Sequence, residues 1–137
     1  MVHALKKARG LLNGNGGLLD IHPAGDPPPI DVRLGDAVFT AGWLREDDDY
    51  IEYTQADEAI AEVVAHGFFA VDRAGTFDFV TYADSLADFR AYLEKERTDA
   101  YLDELVARRI AELMESVEPD QEIALREAIR IVRLRPL

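Results

Sequence analysis

The chain contains no cysteine. Disulfides, thiolate metal sites and cysteine nucleophiles are therefore excluded, and a cytoplasmic location fits. Serine occurs only as Ser85 and Ser116, and neither sits in a nucleophile-elbow pattern. Apolar runs are a few residues long, far short of the roughly 20 that cross a bilayer, so no membrane role is expected. Lys6, Lys7 and Arg9 precede only Leu11 and Leu12 before a run of glycines, which is not a secretory signal. Positive charge is missing between Arg45 and Arg73, where Glu46, Asp47, Asp48, Asp49, Glu52, Asp57, Glu58 and Glu62 fall. The net charge of −12 makes nucleic acid a poor partner, because phosphate affinity rests on clustered Lys and Arg.

What is present is enough to fold. Apolar residues form 48% of the 137, which suits one domain with a real core. Val2 to Leu12 has helical spacing, with Leu5, Ala8 and Leu12 on one face. Asn13 to Gly17 stops it, and Leu18 to Ile21 reads as a short strand. His22 to Pro29 holds a triple proline and is expected to be irregular. Ile30–Leu34 and Ala37–Leu44 read as a hairpin around Gly35-Asp36. Thr54 and Asp57 are spaced as a capping box for a helix that Gly67 ends. Residues 68–72 and 77–82 read as a second hairpin around Ala74-Gly75, aromatic enough to supply much of the core. Ser85 caps a further helical stretch, one helix or two, that Glu118-Pro119-Asp120 breaks. The last strand covers Ile123 to Leu134, with a change of apolar parity that implies a bulge or burial on both sides.

The opening order of helix, glycine turn and apolar strand, Leu12-Asn13-Gly14-Asn15-Gly16-Gly17-Leu18-Leu19-Asp20-Ile21, resembles the second half of class I S-adenosylmethionine-dependent methyltransferases. That resemblance implies a Rossmann-like α/β fold, here a partial one. The expected sheet is mixed and mostly antiparallel, with five or six strands and three or four helices. It equates Leu18–Ile21 with the family's fifth strand, the 68–82 region with its sixth, and Ile123–Leu134 with a final antiparallel strand inserted between them. The family's cofactor loop and ribose-binding acid have no counterpart here, and Met1 falls where relatives have mid-domain sequence. Gly14, Gly16 and Gly17 lie between helix and strand, the reverse of the order that binds phosphate. The expectation is a truncated, single half-domain over 1–137. It acts in assembly or protein interaction, with no cofactor of its own and no catalytic residue carried over. The alternative is a methyltransferase whose S-adenosylmethionine half comes from upstream or from a partner. A missing neighbour at the Leu18–Ile21 edge implies either cover by the 30–44 hairpin or a homodimer.

Candidate chemistry is sparse. Asp20 and His22, at a strand end, could join a zinc site, although an isolated Asp-x-His reads more simply as a loop pair, and no metal is expected. Asp47, Asp48 and Asp49 are adjacent, so they cannot all face one ion from a regular element. Trp43, Tyr50 and Tyr53 form an aromatic group that is either a ligand or partner surface or a hairpin packed on its helix. Asp20, His22, Trp43, Tyr50 and Tyr53 are thus the candidate surface residues.

Overall fold

A computed structural model describes residues 1–48 and 50–137. Asp49, part of the acidic run, lies outside them. The elements run α1 (Val2–Leu11), β1 (Leu18–Pro23), β2 (Pro29–Leu34), β3 (Ala37–Trp43), β4 (Arg45–Glu46), α2 (Ile51–Ala65), β5 (Phe69–Ala83), α3 (Leu86–Glu96), β6 (Ala100–Tyr101), α4 (Glu104–Met114) and β7 (Gln121–Pro136). The fold is α/β. Five strands form one sheet in the order β1-β7-β2-β3 with β5 also on β7, and β4 and β6 form a small second sheet. Strands β1 and β2 each pair with β7, β2 with β3, and β4 with β6, all antiparallel.

The chain divides into two compact units. The first comprises residues 1–25, 51–77 and 128–137, and the second comprises 26–50 and 78–127. In the first unit, β1 pairs with β7 from Leu18↔Leu134 to Pro23↔Ile129. Its core is Leu5, Ala59, Ile60, Val63, Phe69, Val132 and Leu134. In the second unit, β2 pairs with β7 from Ile30↔Leu125 to Leu34↔Gln121. Its core gathers Ile30, Val32, Leu44, Phe89, Leu93, Ile110, Ile123 and Leu125, among others. The parity change in the last strand has this meaning: odd residues Ile123 and Leu125 serve one core, even residues Val132 and Leu134 the other.

Local chemistry explains most boundaries. Ser85 caps α3 by accepting from the backbone N of Asp88 at 3.1 Å, as its spacing predicts. The long helical stretch is two helices, the second capped by Asp103. Gly35 and Gly67 take positive φ, at the hairpin turn and after α2. Strand β1 continues through His22 and Pro23 into the stretch expected to be irregular.

Two expectations are corrected. Helix α2 starts at Ile51, so Thr54 lies inside it and caps nothing. The preceding loop ends instead at Tyr50, held at φ +62° with its backbone N donating to Asp48 Oδ1 at 3.1 Å. Thr54 packs instead against Gly25, so closely that a Cβ added to that glycine would stand 2.7 Å from the threonine hydroxyl. The second correction concerns 68–82, which is not a hairpin but one 15-residue strand, β5. Gly75 does not take a positive φ, so no primed turn forms there. Nor is this region the aromatic core. Phe69 is buried, whereas Phe77, Phe79 and Tyr82 are exposed.

Candidate functional site

In the first unit, residues from three elements converge on His22. The imidazole is nearly buried, at 9% exposure. Its Nδ1 meets Asp20 Oδ1, two residues back on the same face of β1. Its Nε2 meets Asp57 Oδ1 of α2 at 2.8 Å. The other oxygen of Asp57 forms an ion pair with Arg130 of β7 at 2.8 Å, and Arg130 is the register partner of His22. The result is a chain of alternating charge types, Asp20–His22–Asp57–Arg130, that ties α2 to the sheet.

This geometry defines what the cluster can do. Both ring nitrogens are engaged, on opposite edges, so one ion cannot be bound by His22 together with both aspartates without breaking a contact. Among the described residues, no group of three or more His, Asp or Glu side chains is arranged to hold a metal. The sequence singles out Asp20 and His22 but not Asp57 or Arg130. Period-two spacing puts Asp20 and His22 on one face of a strand, which is legible locally. Asp57 and Arg130 arrive from 35 and 108 positions beyond His22, and nothing local marks them.

Beside this network, helix α2 and strands β5 and β7 enclose a hollow of about 410 Å³. Ile60, Ala61, Val64, Val71 and Val132 form its apolar wall, and Asp57, Glu58 and Arg130 form its polar end.

The aromatic candidates take separate roles. Trp43, at the end of β3, is 56% exposed. Tyr50 is buried in the second unit, and its hydroxyl donates to the Leu44 carbonyl at 2.6 Å. Tyr53 is half-buried in the first turn of α2.

The second unit has its own ionic centre. Arg97, which caps α3, donates to Glu46 of β4 and Glu127 of β7. Glu46 is 3% exposed. Burial pushes its carboxyl above the usual range, and Arg97 pulls it part of the way back. Burial works to lower the Arg97 guanidinium, but Glu127 and Glu46 together hold it above its ordinary value. On the surface of the same unit, Arg33 reaches Asp120 at 3.0 Å and Glu122 at 2.9 Å, and its hydrogen bonds hold Asp120 below the usual carboxylate range.

Comparison with known proteins gives no match to a family model, to a curated protein or to a solved structure. Among the described residues, no helix is long and apolar enough to cross a membrane.

Proposed function

We propose that this chain is an interaction and assembly module that is not catalytic on its own, and that it pairs with a second copy of itself through the outer edge of β5. The observation that carries this is the exposure of every residue from Val71 to Phe79. Side chains alternate between the faces of a strand, so nine consecutive exposed residues mean that neither face is covered there. Strand β5 pairs with β7 on one side, and among the described residues its other side carries no strand. An open edge is a template for another strand. Proteins that keep such an edge alone usually blunt it with lysine or proline, and β5 contains neither. Exposed Val71, Phe77 and Phe79 add apolar area. The partner is a second copy because residues 71–79 carry only two Asp and one Arg. On a chain of net charge −12, this nearly neutral stretch lets two copies meet with little like-charge repulsion. Strand β1 also pairs with β7 alone among the described residues, so the missing neighbour anticipated at Leu18–Ile21 leaves a second edge beside that of β5.

Sedimentation velocity across micromolar concentrations tests the proposal. The expected result is a dimer for the natural chain, and a folded monomer for the double substitution Thr76→Lys with Phe77→Lys. A monomer at every concentration, or a dimer unaffected by the two lysines, overturns it.

A second reading is favoured by one observation. Strand β7 pairs with both β1 and β5, the order that the methyltransferase resemblance implies for its final strand. In that reading the chain is part of an S-adenosylmethionine-dependent enzyme whose cofactor half is supplied elsewhere. Calorimetric titration with S-adenosylmethionine and S-adenosylhomocysteine separates the two. The assembly reading expects no heat at millimolar ligand, and micromolar binding would put the enzymatic reading first.

A further inference from the structure

We infer that the hollow on α2 is a binding site for a small organic cation, an ammonium head carried on an apolar body. The inference stands apart from dimerisation, with Val71 the one residue that the hollow shares with the exposed stretch of β5. Its volume, about 410 Å³, is in the range of small-molecule sites. Ile60 and Val64 of α2, Val71 of β5 and Val132 of β7 form a wall with no polar side chain among them. The body of a ligand would therefore be aliphatic.

Charge decides the head. Among the described residues Arg130 is the one cation at the polar end, and Asp57 already pairs with it at 2.8 Å. Asp57 is also held on its other oxygen by His22. Both are internally compensated. Glu58, one residue on, is exposed, and among the described residues it has no ion-pair partner. The uncompensated charge at the rim is therefore negative. A carboxylate ligand would gain Arg130 only while facing Asp57 and Glu58. An ammonium would meet Glu58 directly and be drawn in by the charge of the whole chain. A neutral alcohol of the same length would have the wall but not the head.

The test uses n-hexylammonium chloride, sodium hexanoate and hexan-1-ol as probes of one body and three heads. Methyl resonances of Ile60, Val64, Val71 and Val132 report on binding in the full chain. The expected result is a saturable shift of these methyls with hexylammonium at lower concentration than with either other probe. Glu58→Gln is expected to weaken the ammonium about threefold to fivefold, as befits an exposed charge contact. Because Glu58 is on the surface, that variant should fold. Ala61→Phe, also on the exposed side of α2, should fill the hollow and abolish the shift. Equal or tighter binding of hexanoate or hexanol overturns the assignment. So does the absence of any saturable shift, or ammonium binding that is indifferent to both substitutions.

Discussion

Replacing Arg97 with alanine is expected to destabilise the protein by about 3–5 kcal/mol, the cost of leaving buried charge unpaired. Glu46 is nearly inaccessible and Glu127 mostly so, and Arg97 serves both. Without it, two carboxylates of β4 and β7 lose the cation that pairs with both. The loss should depend on pH in a defined direction. Burial already pushes Glu46 up, and Arg97 is the group that opposes this. In the variant burial and the nearby charges of Asp99 and Asp48 remain, all acting upward, so the folded carboxyl lies further above its unfolded value. Such a group favours folding below the unfolded value, and this contribution is lost as pH rises through the folded one. The variant should therefore recover part of its stability on acidification. Asp120 works in the opposite sense. Its depressed folded value gives stability above the ordinary carboxylate range that is lost as pH falls through the folded value. Urea unfolding of the natural chain, Arg97→Ala and Arg33→Gln between neutral and mildly acidic pH checks both signs. A deficit in Arg97→Ala that is flat or grows on acidification contradicts this role for Arg97.

The second large effect is expected at His22. Alanine there removes the group that, among the described residues, joins Asp20 to Asp57. Asp57 keeps Arg130, but Asp20, with a side chain only 14% exposed, loses its partner. The expected loss is about 2–4 kcal/mol, combining an unsatisfied buried carboxylate with the missing ring. Asp20→Asn in the His22→Ala background should restore part of it, since the orphaned charge is then gone. A double-mutant cycle for Asp20 and His22 should give a coupling above about 1 kcal/mol, as groups in one network are not additive. Additive losses would show that the two side chains act separately.

These two centres illustrate what the sequence can and cannot disclose. Ser85, Gly35, Gly67 and the helical spacing of α1 act through neighbours within a turn, and each is legible in order along the chain. The face change in β7 is legible for the same reason, because Ile123, Leu125, Val132 and Leu134 lie close together on one strand. The failures have long-range causes. Ala74-Gly75 looks like a hairpin turn, yet β5 runs unbroken from Phe69 to Ala83 and pairs with β7. Thr54 looks like a cap, but Asp48 and the positive φ of Tyr50 end the loop before it. Arg97 carries no local mark at all, since Glu46 and Glu127 are 51 and 30 residues away. The same holds for Asp57 and Arg130 at His22. Tyr50 is visible as an aromatic near Trp43, yet its hydroxyl bond to Leu44 and its burial follow from the loop's return.

The first unit is assembled from residues 1–25, 51–77 and 128–137. Its strand β1 has no sheet partner until Ile129 to Leu134 exist to meet it. During synthesis at roughly 5–20 residues per second, Leu18 waits several seconds for Leu134, with Leu19 and Ile21 beside it. A chain stalled on the ribosome short of residue 128 would thus hold α1, β1, α2 and the start of β5, but not the β7 residues that complete this unit. The strand made first is the one whose sheet partner arrives last.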